Sequence, residues 1–198
     1  MIHPIELESY RRLNDRVDLS HLAPGPRAVV ARVIHASADV EYARTMIVPE
    51  AAVTAAVAAI RHGAAVITDV EMTRVGITGG AARCYLSEVP PASGAPKTGR
   101  TRSAAAMGRA AEAHPVGAVL VIGCAPTAVY EALALAAAGR FAPAAIIALP
   151  VGFVGAAESK EAARGSGLAV ISNTGDKGGS AVAAAACNAI LRLARAGD

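Results

Sequence analysis

The stretch PVGFVGAAESK, residues 150–160, directly follows an apolar run at residues 144–149. The run predicts a buried strand that ends at Pro150, and the stretch after it predicts a loop that enters a helix. Glycines in such a loop, here Gly152 and Gly155, let the backbone approach a bulky group closely, and a helix start offers free N–H groups to an anion. A tight strand-to-helix connection without a ligand explains the same residues.

The composition indicates an apolar chain with little net charge. Its 198 residues suit one domain over residues 1–198, with an N-terminal arm over residues 1–26. A hydrophobic fraction of 54% supplies a sizeable core, and an aromatic fraction of 3% means that aliphatic side chains must build it. The net charge of +3 is too small to indicate a nucleic-acid partner.

The cysteines and the N-terminus indicate the cellular setting. Cys84, Cys124 and Cys187 are odd in number and far apart, so they predict neither a disulfide framework nor a metal site. Residues 1–16 are polar and charged, unlike a signal peptide. No apolar run reaches the roughly 18 residues of a membrane span. These features predict a soluble cytoplasmic protein that has no membrane partner.

Periodicity and turn residues divide the chain into alternating strands and helices. The predicted strands number five: residues 65–69, 83–86, 117–122, 144–149 and 168–172. The predicted helices are residues 4–15, 27–35, 49–62, 101–114, 126–139, 159–165 and 180–194, and the main loops are residues 69–76 and 90–98. Such alternation is typical of a parallel sheet covered on both faces. We predict a three-layer α/β fold with a doubly wound, mostly parallel five-stranded sheet of flavodoxin-like type.

Conspicuous polar loops follow four of these strands. They cover residues 69–72, 123–127, 150–160 and 173–180. Because the carboxyl ends of parallel strands meet at one edge of a sheet, these loops should converge there. The convergence predicts a ligand site at that edge.

The segment Gly178-Gly179-Ser180 begins the last predicted helix. Free N–H groups there are suited to hold an anion, and glycines there also permit close packing of a helix on a sheet. The spacing of a nucleotide-binding P-loop is absent, as is Gly-x-Gly-x-x-Gly after a strand. Both interpretations of the segment remain open at this point.

His35 is a candidate for proton transfer. It follows the apolar pair Val33-Ile34 and precedes small residues, so it is placed to line a pocket. Imidazole is the side chain best matched to proton transfer near neutral pH. A partly buried histidine with a structural hydrogen bond is the alternative. No Cys or second His stands at ligand spacing, so the sequence predicts no metal site.

Two arginines stand at the start of a predicted helix, in the segment Arg100-Thr-Arg-Ser103. Cations there oppose the helix dipole. A bound carboxylate would offset that cost, because the guanidinium fork matches a carboxylate. A solvated basic turn is the alternative.

Several of these segments together resemble the precorrin-8X methylmutases of cobalamin biosynthesis. Residues 150–160 carry the most specific match, and the likeness extends over residues 35–188. The other matching segments are residues 35–36, 39–41, 69–72, 101–104, 125–128 and 177–180.

The resemblance implies an isomerase that moves a methyl group from C11 to C12 of precorrin-8X, or of its cobalt form, without a cofactor or a metal. It implies that His35 is the proton donor and acceptor, and that the protein is a homodimer with its sites at the interface. The substrate is a large tetrapyrrole rimmed with carboxylates. The residues expected to contact it are Thr101, Arg102, Ser103, Gly152, Phe153, Gly155, Glu158, Lys160, Lys177, Gly178, Gly179 and Ser180.

Three positions differ from the family pattern. Cys124 and Arg100 stand where the family usually has Asn, and Asp176 stands where we expect Arg. Loss of an arginine contact to an anionic substrate would weaken binding by roughly 1.5–3 kcal/mol, and Arg100 could partly replace it.

Two other functions fit parts of the sequence. A corrinoid-binding paralogue would keep the pocket with little or no mutase activity. An unrelated α/β transferase would use the Gly-Gly-Ser turn for a phosphate. His35 favours the enzyme over the first, and the missing nucleotide fingerprints disfavour the second.

Overall fold

Five parallel strands and one short antiparallel strand form the central sheet of the computed structural model, which describes residues 3–91 and 100–196. The strands are β1 (Met46–Ile47), β2 (Val66–Thr68), β3 (Ala82–Cys84), β4 (Val119–Ile122), β5 (Ala145–Ala148) and β6 (Val170–Asn173). They lie in the order β1-β6-β5-β4-β2-β3. When β2 to β6 are renumbered 1 to 5, the order of the parallel strands is 2-1-3-4-5, as in flavodoxin-like sheets. The predicted doubly wound architecture is therefore confirmed.

The sheet has one strand more than the five predicted. The additional strand, β1, pairs antiparallel with β6, with Met46 opposite Asn173 and Ile47 opposite Ser172. Two residues are too few to show the alternation that reveals a strand, so β1 has no sequence signal. Its pairing covers part of an edge that other chains could otherwise join.

Most helices of the described residues agree with the predicted ones. They are α1 (Pro4–Asn14), α2 (Pro24–Ser37), α3 (Tyr42–Thr45), α4 (Glu50–Arg61), α5 (Glu71–Gly76), α6 (Arg102–Ala113), α7 (Pro126–Ala137), α8 (Ala156–Arg164) and α9 (Ser180–Arg195), with a 3-10 turn at Leu86–Glu88. α5 replaces the loop predicted at residues 69–76, because a six-residue helix without a side-chain cap has no clear start signal. Most of the loop predicted at residues 90–98 lies outside the described residues.

The sheet separates two hydrophobic layers. One is packed by α2, α4 and α9, and the other by α6, α7 and α8. Side chains of β4 alternate between them: Val121 enters the first layer, whereas Leu120 and Ile122 enter the second. Strands buried on both faces read as continuous apolar runs, which explains their clear sequence signal. Within residues 3–91 and 100–196, no helix is both long and apolar enough to cross a membrane.

Candidate active site

Asp69 lies directly after β2, where the order of the parallel strands reverses between β2 and β4. In doubly wound sheets this point opens a crevice that often binds a ligand. Here the carboxylate of Asp69 occupies it. Oδ1 accepts the N–H of Gly123 at 3.1 Å, and Oδ2 accepts those of Cys124 and Ala125 at 2.7 and 2.8 Å. Asp69 is 1% exposed, so it organises the loop and presents no charge to solvent.

Glycines close the same crevice from the side of β5 and α9. A Cβ on Gly123 would lie 2.8 Å from Ser180 Cα, and a Cβ on Gly178 would overlap with two carbonyl oxygens at the end of β5. Gly179 donates its N–H to the carbonyl of Leu149 at 2.8 Å. The turn at residues 178–180 therefore serves close packing. The Gly179 N–H has an acceptor within the protein and is not free for an anion, and contact of residues 178–180 with the substrate stays a prediction.

Lys160 differs from the expectation that it contacts a substrate carboxylate. Its side chain is fully buried, and Nζ donates to Asn173 Oδ1 at 3.0 Å and to the carbonyl of Lys177 at 2.7 Å. The ammonium group therefore joins α8 to the loop after β6, and it does not reach a substrate carboxylate at the surface. Burial lowers the pKa of Lys160 to about 8, and the charge of Asp176 acts in the opposite direction. The charge of exposed Asp176 therefore favours the protonated form of Lys160.

Contacts between loops bring the starts of α6, α7 and α8 together at the carboxyl edge of the sheet. At the starts of α6 and α7, Thr101 Oγ1 and Thr127 Oγ1 form a hydrogen bond of 2.7 Å. The side chain of Pro126 lies 3.5 Å from the position of a Cβ on Gly155, at the start of α8. The α6, α7 and α8 starts therefore lie side by side, and those of α7 and α8 belong to the polar loops that the sequence predicts to converge.

The edge continues from α8 to the end of α2. Gly152 donates its N–H to the carbonyl of Asp176 at 3.1 Å. The next residue, Lys177, donates through Nζ to Asp39 Oδ2 at 2.7 Å and to Glu41 Oε2 at 2.5 Å. These two bonds raise the pKa of Lys177. Two carboxylates already balance its charge, so Lys177 ties the loop after β6 to the segment that follows His35.

The loop after β5 ends in an exposed apolar tip. Phe153 is 95% exposed and Val154 88% exposed, and Val151 is 45% exposed. Glu158 is also exposed, on the first turn of α8. Gly152 and Gly155 have φ values of 144° and 78°, which other residues rarely adopt, so they are required for the shape of this loop.

The predicted arginine cluster has protein partners. Arg102 donates to the carbonyls of Leu86 and Val89 at 3.0–3.2 Å, and so holds the 3-10 turn before α6. Arg100 Nη2 donates to Glu131 Oε1 on α7 at 2.5 Å. Ser103 is partly buried in the first turn of α6. Both arginines remain partly exposed at the edge of the sheet, so a substrate contact by Arg102 stays a prediction.

His35 lies in the last turn of α2, beside an open cleft of about 630 Å³ between α1 and the end of α2. The ring is partly buried. Its Nδ1 lies 2.7 Å from Ser9 Oγ, and Tyr10 stacks on it with ring centroids 4.9 Å apart and planes 13° apart. Ser9 engages Nδ1, so Nε2 is the nitrogen available for exchange of a proton with a ligand.

The surroundings of His35 favour the neutral imidazole. Burial is the main cause that lowers its pKa below the ordinary value, and the charges of Arg32 and Arg192 act in the same direction. Glu6 acts in the opposite direction. The ring is therefore mostly neutral at pH 7, and in this form it can both donate and accept a proton.

The contribution of α1 to this site is not predicted by the sequence. The segment has the pattern of an entry arm, whereas Ser9 and Tyr10 contact His35 directly. Arg12 and Arg16 also line the cleft. An amphipathic spacing within residues 4–15 indicates that the helix packs on something, but it does not indicate on what.

The fold and this edge define an α/β enzyme suited to proton transfer. A partly buried histidine borders a cleft, and small residues and cations follow along the carboxyl ends of the strands. In the two described ranges, no group of three or more His, Cys, Asp or Glu side chains is arranged to hold a metal ion.

Comparison with known proteins identifies the family. The family model described as precorrin-8X methylmutase matches residues 4–193. The cobalt-precorrin-8 methylmutase of Methanothermobacter thermautotrophicus is 42% identical, over 90% of this chain and 85% of the relative. The precorrin-8X methylmutase of Pseudomonas aeruginosa is 38% identical, over 92% of this chain and 91% of the relative. A crystal structure of precorrin-8X methylmutase from Thermus thermophilus superimposes with a TM-score of 0.86 at 32% identity, over 98% of this chain and 99% of that one.

The chain belongs to the precorrin-8X methylmutase family. Members of this family are isomerases of cobalamin biosynthesis that shift a methyl group within one molecule, so the chain is an isomerase. The resemblance stated from the sequence is confirmed.

Proposed function

We propose that the chain moves the methyl group from C11 to C12 of precorrin-8X or cobalt-precorrin-8, with His35 as the proton donor and acceptor. The observation that carries the proposal is His35 itself, held beside a large cleft with Nδ1 engaged by Ser9. The products are hydrogenobyrinic acid and its cobalt form, respectively. Relatives named for both substrates are similar to this chain, so both substrates belong in the test.

The chemistry asks for a proton shuttle and a shaped surface. The C11–methyl bond breaks and the C12–methyl bond forms within one molecule, so no electron acceptor is required. The ring system must gain a proton at one position and lose one at another, and a neutral imidazole can serve both steps. The remaining rate acceleration comes from holding the macrocycle in a fixed orientation, because an intramolecular shift depends on orientation.

The substrate carboxylates need cations around the cleft. We propose Arg12 and Arg16 of α1, which line the cleft, and Arg102 at the start of α6 as candidate partners. Thr101, Ser103, Gly152, Phe153, Gly155 and Glu158 remain proposed contacts along the same edge. Lys160, Lys177, Gly178, Gly179 and Ser180 shape that edge through their contacts within the protein.

We also propose a homodimer whose interface covers the tip at residues 151–154. Phe153 and Val154 are among the most exposed large apolar side chains of the described residues, and apolar patches of this kind mark interaction surfaces. A second copy over the tip would place the active site at the interface. Replacement of Phe153 by Asp should shift the protein to monomers in analytical ultracentrifugation, whereas Glu158→Gln should leave the assembly unchanged.

A cytoplasmic location completes the proposal. Cys84, Cys124 and Cys187 are free thiols, as is usual in a reducing compartment.

The decisive experiment compares the wild type with His35→Ala and His35→Gln. Enzymatically prepared precorrin-8X and cobalt-precorrin-8 are added, and the absorbance spectrum is followed. We expect conversion by the wild type and a rate roughly 10²–10⁴-fold lower for both variants, with binding of hydrogenobyrinic acid retained.

Other outcomes separate the alternatives. Binding without turnover by the wild type would contradict the enzyme proposal and favour a corrinoid-binding protein. Equal turnover by all three proteins would remove His35 from the mechanism while leaving the reaction in place.

A further inference from the structure

α1 turns one narrow stripe of side chains toward the rest of the protein. Glu6, Ser9, Tyr10 and Leu13 stand at spacings of three and four, so they share one face of the helix. Leu13 is buried in the core, and it is the only fully buried residue of this helix. Glu6 and Ser9 contact polar groups of α2 and α9. Tyr10 packs against the core and also stacks on His35, so the stripe combines core packing with contacts to the His35 region.

Two contacts from this stripe restrain the His35 ring in different ways. The hydrogen bond between Ser9 Oγ and Nδ1, at 2.7 Å, determines which edge of the ring faces α1. A single hydrogen bond leaves the ring free to tilt about it. The Tyr10 ring, stacked at 4.9 Å with planes 13° apart, determines the plane of the imidazole. Together the two contacts restrain the direction of Nε2.

Glu6 anchors the helix that carries these contacts. Its Oε1 accepts hydrogen bonds from Arg32 Nη1 at 3.0 Å and from Nη1 and Nη2 of Arg192 at 3.2 Å. The carboxylate therefore binds α1 to both α2 and α9. The side chains of Glu6 and Arg32 are 21% and 23% exposed, so this pair is largely shielded from solvent, whereas Arg192 is 56% exposed.

We propose that Tyr10 is a positioning residue for His35: its ring, carried by α1, holds the plane of the imidazole so that Nε2 faces the cleft. The inference rests on the proposed role of His35, and it makes the N-terminal helix part of the active site. Tyr10 acts through His35 and needs no contact with the substrate.

Removal of the Tyr10 ring has a predictable effect on the titration of His35. Burial is the largest cause of the lowered pKa of His35. The charged groups that surround the ring are Glu6 of α1, Arg32 of α2 and Arg192 of α9, and they are unchanged by a Tyr10 substitution. Water that replaces the phenol ring would solvate the imidazolium, so the pKa of His35 should rise toward its ordinary value.

The experiment uses the full chain with Tyr10→Leu, Tyr10→Met and Tyr10→Phe. Arg11→Ala is the matched control, because Arg11 is the next residue and pairs with Glu8 and Asp15 on the exposed side of α1. Two quantities are measured: the NMR titration of the His35 ring without substrate, and kcat and KM with precorrin-8X.

We expect Tyr10→Leu and Tyr10→Met to lower kcat by about 10-fold or more, with KM changed less than about threefold. The midpoint of the His35 titration should rise in both. Tyr10→Phe keeps the ring and should behave as the wild type in both measurements, as should Arg11→Ala. Circular dichroism checks that each variant is folded. If either Tyr10→Leu or Tyr10→Met does not fold, the other still tests the proposal.

Three results would overturn the proposal. They are an unchanged His35 titration in the aliphatic variants, an unchanged kcat, or a loss in Tyr10→Phe as large as in Tyr10→Leu. If the wild type itself does not convert precorrin-8X, the proposed reaction fails. The titration then still decides whether Tyr10 shields and orients the ring.

Discussion

Two polar regions of this protein are built in opposite ways. The switch-point cluster, which consists of Asp69, Thr73, Gly123 and Ser180, is buried and paired internally. The His35 cleft is open, and His35 keeps one ring nitrogen away from its serine partner. In many doubly wound proteins the switch point itself binds the ligand. Here it is filled by protein, and the open site lies at the end of α2.

The difference shows how polar side chains divide between folding and function. A buried carboxylate is stable only when several donors satisfy it, and three backbone N–H groups satisfy Asp69. A side chain that must exchange a proton cannot be satisfied completely. The two regions should therefore respond differently to substitution, the first in stability and the second in activity.

The largest expected effect is the loss of stability in Asp69→Ala. Three backbone N–H groups would lose their acceptor, and each buried unpaired group costs about 1–3 kcal/mol. Water that enters the site would partly satisfy these N–H groups, so we expect the free energy of unfolding to fall by about 3–5 kcal/mol in urea denaturation.

Asp69→Asn and Glu71→Ala are the controls. Asn keeps one acceptor oxygen, so Asp69→Asn should lose an intermediate amount of stability. Glu71 lies two residues away in an exposed pair with Arg74, so Glu71→Ala should lose little. His35→Ala should change stability by less than about 1 kcal/mol, because the ring is only partly buried. A His35 variant as unstable as Asp69→Ala would contradict the division between the two regions.

The next effect concerns Lys160 and pH. Its pKa is about 8 in the folded protein and 10.5 ordinarily, so between these values the unfolded chain holds a proton that the folded chain has lost. The cost of burying the charge is therefore fully present below pH 8 and disappears above pH 10.5. Stability should rise across this interval by about 3 kcal/mol relative to Lys160→Met.

Denaturation of both proteins at pH 7.5 and near pH 10 measures this difference. Lys177→Met is the control, because Lys177 stays mostly protonated at both pH values in both states: its pKa is raised in the folded chain and has the ordinary value of 10.5 in the unfolded chain. An identical pH dependence in wild type and Lys160→Met would show that the buried ammonium group has no unusual titration.

The smallest effect is expected for Lys177, which is half exposed and paired with Asp39 and Glu41. Lys177→Met should lower the urea midpoint slightly at low salt, and about 0.5 M NaCl should remove the difference by screening the pair. Lys177→Arg retains the charge and should remain close to the wild type. A loss that persists at high salt would show that Lys177 holds its loop by more than charge.

The strands and the doubly wound class of the sheet followed from the sequence because the buried strands are continuous apolar runs that alternate with helices. β1 did not follow, since its two residues pair only because β6 lies beside them. The sequence shows glycines at residues 178 and 179, but it does not distinguish an anion-binding turn from close packing of a helix on the sheet. Only the packed structure shows two carbonyl oxygens where a side chain would stand.

The features of the candidate site also fall into those that the sequence predicts and those that only the structure shows. The sequence by itself determined the doubly wound fold and the edge at which its polar loops converge, and it made His35 the candidate for proton transfer. These depend on local patterns and on motifs within single segments. Tertiary structure alone decided that Lys160 is buried, that Lys177 is neutralised by Asp39 and Glu41, and that Ser9 and Tyr10 hold His35. Each of these contacts joins residues distant in the chain, and pairing and burial at such distances depend on packing that no local pattern records.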